Sequence, residues 1–306
     1  MYTAYELSEK MTTLLESSDY KELKLLLCEE NPIDVAEAFD RLSEQDVSLC
    51  FRLLPKEQAA EVFVEMDSDR QKSLIEGFND ARLREIINEL YLDDAADLVE
   101  EMPAGVVSRI LKNTDAETRN AINEILLYPK DSVGSMMTTE YVSLKKTMTV
   151  SEAFSKIRRV GVDKETVYTC YVTEHRRLIG TVTVKALLFA NDDDILEDLM
   201  EADPISVFTT DDREEASALI SKYDLLALPV LDAESRIVGI VTIDDAMDVL
   251  ETEASDDIAQ MAAIVPSEKP YLKTSAVRLW LSRVPWLLLL MLSATITSKI
   301  IASYEA

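Results

Sequence analysis

The chain has 306 residues, a formal net charge of −27 and 47% hydrophobic residues. That length supports two or three domains with cores of their own, and the apolar content excludes a disordered acidic tail. The charge argues against nucleic acid and anionic lipid as partners, and for cations or basic surfaces. Cys28, Cys50 and Cys170 lie far apart with no CxxC, which points to a reducing compartment and away from a zinc site. The single histidine, His175, sits in EHRRL and reads as a surface turn residue. No cleavable signal peptide is read at the start. The chain also shows no Gly-rich phosphate loop and no Ser/His/Asp or Cys/His set, so an enzyme is not expected.

Residues 1–130 read as all helix. Pro and Gly are sparse, and apolar residues recur at three and four. A short motif repeats as AEAFDRL (36–42), AEVFVEM (60–66) and ADLVEEM (96–102). Repeated helical hairpins stack into a superhelical solenoid, because each alone cannot bury its apolar face. Pro32, Pro55 and Pro103 fit helix starts. Asp93 and Asp97, four apart, share a helix face and on their own read as solvated.

At 128–134 the helical pattern breaks. A strand (142–144), a helix (150–160) capped by Thr149, and strands at 167–172 and 178–184 follow, with a helix starting at Lys185. The pattern then repeats, with a strand at 205–207, a helix at 214–223 and strands at 226–231 and 237–243. LIGTVTV (178–184) and IVGIVTI (237–243) match almost position by position. A β-α-β-β-α unit used twice makes two small sheets that pack together.

The stretch 243–258, IDDAMDVLETEASDDI, holds Asp244, Asp245, Asp248, Glu251, Glu253, Asp256 and Asp257 and no Lys or Arg. Ile243, Met247, Leu250, Ala254 and Ile258 form an apolar stripe at helical spacing. Like charges three or four apart repel by a few tenths of about 1 kcal/mol per pair. Two readings stand: a solvated acidic face, or carboxylates gathered for a hard divalent cation such as Mg2+ or Ca2+. Residues 261–277 read as a linker and amphipathic segment with Pro266 and Pro270. The apolar stretch 284–301 is about long enough to cross a bilayer. Arg278 and Arg283 in front of it set its N-terminal side in the cytoplasm, and Trp280 and Trp286 suit an interface. A buried helix of a soluble protein is the alternative reading.

The doubled unit, with its Gly-x-x-Thr strand leading into a helix, resembles a tandem pair of CBS domains. With LREI, LDDAAD, GSMMT, YDLLALPV, GIVTIDDAMDVLE and RLWLSRVPWLLLL, nearly the whole chain resembles the cytosolic half of the MgtE family of magnesium channels. The fold class implied is multidomain: an all-α superhelical solenoid (1–130), an α/β tandem CBS pair (131–198 and 199–250), a long acidic connecting helix and linker (244–277), and one transmembrane helix (278–303). The resemblance implies a multi-pass protein of the cell membrane with residues 1–277 cytoplasmic. It implies five membrane helices per subunit, of which one lies in these residues, so the chain reads as the sensor of a channel, without most of the pore.

The resemblance also implies a metal set. Asp93 and Asp97 come from the solenoid. Asp212, Glu214, Asp224, Asp245 and Asp248 come from the second CBS unit. Glu253, Asp256 and Asp257 come from the segment leading to the membrane. Mg2+ between these acidic surfaces is expected to close a homodimer and to set the acidic helix as a plug that shuts the pore. CBS pairs also take adenosine nucleotides, with a ribose-binding acid shortly after the Gly-x-x-Thr strand. Asp245 supplies it in the second unit, whereas Ala186 stands there in the first. An ATP or AMP sensor regulating a membrane partner is therefore the alternative function, and a membrane-tethered scaffold is a third.

Overall fold

The computed structural model describes residues 2–261 and 276–305. The linker with Pro266 and Pro270 lies outside the described residues. The chain forms two compact units, residues 1–212 with 226–242, and residues 213–225 with 243–306.

The first unit begins with ten helices: α1 (Ala4–Glu16), α2 (Tyr20–Glu29), α3 (Pro32–Phe39), α4 (Glu44–Leu53), α5 (Lys56–Val64), α6 (Ser68–Gly77), α7 (Asp80–Ile87), α8 (Leu92–Glu101), α9 (Ala104–Asn113) and α10 (Ala116–Ile125). The N-caps of α2 to α10 are Asp19, Asn31, Ser43, Pro55, Asp67, Asn79, Tyr91, Pro103 and Asp115, each twelve residues after the last. Six of these nine caps accept a hydrogen bond from a first-turn N–H through their own side chain, which satisfies donors the helix cannot. The same period runs through the core. Leu27, Phe39, Phe51, Phe63, Ile75, Ile87 and Val99 are all buried. Each such burial stabilises by about 2 kcal/mol.

Helices pack on the next but one: α1 on α3, α2 on α4, α3 on α5, α4 on α6, α5 on α7, α7 on α9 and α8 on α10. This is a stack of hairpins, the solenoid expected from the repeats. Long polar side chains tie turns together by reaching back to spare helix-end carbonyls. Arg70 donates to the carbonyls of Asp40 and Leu42, Gln58 to that of Leu27, and Arg109 to those of Ile75 and Phe78.

Two sheets follow. The first has the order β1 (Ser143–Lys145), β2 (Thr169–Glu174), β3 (Arg177–Thr183), β4 (Glu201–Ala202), with β1 parallel to β2 and the rest antiparallel. It carries α11 (Val150–Val160), opened by a capping box between Thr149 and Glu152, then α12 (Val184–Phe189) and α13 (Leu196–Leu199). The second sheet has the order β5 (Val207–Phe208), β6 (Ala227–Leu231), β7 (Ile237–Thr242). Tyr171 and Leu178 of the first sheet pack with Ala227, Leu231, Ile237 and Ile240 of the second. Tyr141 stands edge-on to Tyr171 and donates its hydroxyl to the Ile237 carbonyl at 3.1 Å. His175 lies exposed in the β2–β3 turn, with φ of 52°, as the sequence leads one to expect.

The sequence pattern misses β4 and a partner of β7. Gly180 and Thr181 of β3 pair with Ala202 and Glu201, and Ile240 of β7 pairs with Thr138. Each sheet is thus edged by the opening segment of the other CBS unit. Both matching glycines are needed for this. A Cβ on Gly180 would stand 2.8 Å from the Met200 sulfur and the Glu201 carbonyl oxygen. A Cβ on Gly239 would stand 2.8 Å from the Met137 sulfur and the Thr138 carbonyl oxygen.

The second unit holds α14 (Arg213–Tyr223), α15 (Ile243–Met261) and α16 (Ala276–Glu305). α15 packs on α14. The expected apolar stripe is not the side that packs: Ile243, Met247 and Ile258 are exposed, whereas Ala246 is buried and Val249 and Leu250 are half-buried. In α16, the 22 residues Arg283–Tyr304 are long and apolar enough to cross a membrane, and none of that window is buried. Pro285 lies inside the helix.

Candidate functional site: the acidic surfaces

Ten acids make up the expected metal set, and they fall on both units. Asp93 opens α8 and Asp97 lies one turn further on. The pair is not the solvated one that its spacing suggests. Asp97 is exposed, but Asp93 is only 7% exposed. Burial pushes the Asp93 carboxyl up to about 7, helped by the charges of Asp94 and Glu140. The Asp94 N–H donates to Asp93 Oδ1 at 3.0 Å and pulls the other way. Tyr91, just ahead, is raised by burial and by Glu165 and Glu140. Glu140 and Glu165 are joined through their backbone, N–H of Glu165 to carbonyl of Glu140 at 3.0 Å. These two acids escape sequence reasoning because they lie 47 and 72 positions beyond Asp93, too far for any local pattern to register.

Asp212 is exposed and bridges to Ser132 through the backbone. In the second unit Glu214 is exposed in the first turn of α14. Asp224 is exposed just past its end with φ of 52°, the left-handed conformation of a helix terminus. On α15, Asp245, Glu253 and Asp256 are half-buried and Asp248 and Asp257 exposed. Glu253 meets the Arg213 guanidinium at 3.4 Å. Asp248 titrates above the usual carboxylate range, first through partial loss of solvent and then through Asp244 and Glu251. Among the described residues, no three acids, histidines or cysteines converge on one point. The donors are nonetheless all carboxylates, the ligand type of a hard divalent cation, and Asp93 and Asp248 are held where a positive charge relieves them.

Other chemistry is quiet. Burial pushes the Cys50 and Cys170 thiols up to about 12, so both stay protonated at neutral pH. At the matching nucleotide position of the first CBS unit, the Ala186 N–H caps onto the Thr183 hydroxyl at 3.1 Å. Asp245 holds the matching place in the second.

A stacked helical repeat, a CBS pair, a helix rich in acids and then an apolar helix together define the regulatory region of a membrane transporter. The comparisons agree. Residues 30–131 match the MgtE intracellular N domain, and residues 133–193 and 196–252 each match the CBS domain. The magnesium transporter MgtE of Thermus thermophilus is 36% identical over 306 residues, covering 98% of this chain and 68% of the relative. That of Bacillus subtilis is 29% identical, covering 98% and 66%. The crystal structure of the cytosolic domain of the Mg2+ channel MgtE in complex with ATP superposes with a TM-score of 0.75 at 34% identity, over 79% of this chain and 99% of that one. The soluble part of a magnesium transporter gives 0.76 at 27% identity, over 82% and 99%. The chain belongs to the MgtE family of magnesium transporters. Membership places it at the membrane, with its soluble region cytoplasmic as in the family. It spans about two thirds of the length of its curated relatives.

Proposed function

We propose that this chain carries the Mg2+-sensing and gating region of an MgtE-type channel, and that its acidic surfaces draw together when Mg2+ neutralises them. Asp93, Asp97, Asp212, Glu214, Asp224, Asp245, Asp248, Glu253, Asp256 and Asp257 are the residues that would hold the ions. The carrying observation is α15 itself: seven acids, no base of its own, and an Asp248 carboxyl raised first by partial burial and then by the charges of Asp244 and Glu251. Mg2+ gives up its waters reluctantly, so contacts through water and individually weak sites are expected, in a range of roughly 1 mM. Several ions acting together make the response steep. α15 then acts as the plug whose position shuts the pore. A homodimer fits the exposed apolar side chains of Leu188 and Phe189 on α12.

The test is limited proteolysis of the full chain in detergent, across a Mg2+ series from EDTA upward. Low-millimolar Mg2+ should protect 128–134 and α15. Changing Asp245 and Asp248 to Ala should abolish that protection. A cleavage pattern blind to Mg2+ would sink the reading. A second reading, adenosine-nucleotide sensing, draws on Asp245 and on the likeness to a cytosolic domain crystallised with ATP. It requires ATP or AMP to raise the melting temperature in EDTA.

A further inference from the structure

The connector 132–138 opens the first CBS unit in sequence but is built into the sheet of the second. At one end the N–H groups of Val133 and Gly134 donate to the carbonyls of Asp211 and Thr209 at 2.8 and 2.9 Å. At the other, Thr138 and Ile240 exchange N–H···O bonds in both directions, each 2.9 Å. Both ends are closed by a glycine. A Cβ on Gly134 would lie 2.5 Å from the Tyr128 ring and 2.9 Å from the Thr209 carbonyl oxygen, and one on Gly239 would strike Met137 and Thr138. Tyr128 ends the helical stack, its N–H bonded to the Ile125 carbonyl. On the far side, β7 ends at Thr242 and the next residue, Ile243, begins α15.

We infer that residues 132–138 are a rigid coupler, through which a displacement of the helical stack reaches β7 and, across the 242–243 peptide bond, the start of α15. Gly134 and Gly239 are its positioning residues. The second CBS sheet, and not the one that follows in sequence, is the part the stack is yoked to. A backbone held by four hydrogen bonds at two separated points transmits a shift better than a free linker does, because local opening must break them together. The coupler deepens the sensor reading and rests on it only where Mg2+ is the stimulus.

The experiment is hydrogen exchange of the full chain in detergent, read by mass spectrometry. In Gly239→Val, exchange over 132–138 should rise about tenfold or more while residues 19–125 keep wild-type rates. Protection of 243–261 by Mg2+ should be lost, or need about tenfold more Mg2+. The converse variant joins Thr138→Cys to Ile240→Cys in a Cys28→Ser background. These residues form a hydrogen-bonded antiparallel pair, whose Cα spacing of about 5.5 Å suits a disulfide. The oxidised form should respond to Mg2+ like wild type.

A loosened connector in Gly239→Val with an unchanged α15 response would overturn the coupler. So would a crosslink that abolishes the response, since the connector would then be a moving part. If Gly239→Val unfolds the helical stack as well, the crosslinked form alone decides. If wild type shows no Mg2+ response, the sensor reading fails by itself. The coupler is then judged in EDTA, where Gly239→Val should speed exchange of 243–261 and an unchanged rate refutes it.

Discussion

The helical stack and the CBS pair are both duplications, but they cohere in different ways. The stack repeats a twelve-residue helix, with caps from Asp19 to Asp115 and a buried apolar residue at the same place in each turn. Its contacts reach no more than three helices away, most of them to the next helix but one. The CBS pair repeats a unit of fifty-nine residues, judged by Gly180 and Gly239, and each copy borrows its edge from the opening segment of the other. A stack of near-neighbour contacts has stability that adds repeat by repeat. An exchange of edges makes the two sheets one cooperative object, whose pairing spans about a hundred residues and is slower to form. A graded region thus sits ahead of an all-or-none one.

The contrast can be tested by three substitutions, in falling order of effect. Asp93→Asn probes the buried acid where the stack approaches Glu140. The Asp93 carboxyl has its folded value raised to about 7, so its burial costs stability as pH rises from about 4 toward 7, and the full cost applies above that. Thermal unfolding in EDTA should show the variant more stable by about 2–4 kcal/mol at pH 8, with the gain vanishing below pH 4 or so. A gain that stays constant with pH would mean that Asp93 is not held neutral by burial. Gly180→Val places a side chain against the Met200 sulfur and the Glu201 carbonyl. It should cost about 1–3 kcal/mol and, because edges are exchanged, should loosen both CBS sheets together in hydrogen exchange. Loss confined to the first sheet would show that the two are independent. Ser43→Ala removes the cap that accepts the Asp46 N–H at 3.2 Å. It should cost about 1 kcal/mol, with faster exchange confined to α4 and its immediate neighbours. Destabilisation spreading to the CBS sheets would contradict additive stacking.

Much of the architecture was legible in the residues alone, because it rests on periods short enough to see. Helix caps, Pro32 at a helix start, the Thr149 capping box, the matched LIGTVTV and IVGIVTI strands and the apolar run before Tyr304 are local signals that local chemistry enforces. The run of acids on α15 was legible too, since carboxylate is a property of the residue. What those acids experience was not. The spacing of Asp93 and Asp97 suggests a solvated pair, yet the fold buries one and exposes the other, because burial depends on what packs over α8. The apolar stripe on α15 points one way, but Ala246 is the residue the fold buries, because α15 packs on α14 and burial depends on that neighbour. The exchange of edge strands through Met137 and Met200 was likewise invisible, for it pairs residues about a hundred positions apart at one glycine and about twenty at the other. Tertiary structure alone decides which carboxylate is buried and raised, and to which sheet the connector 132–138 is bonded, because both depend on neighbours brought together only by folding.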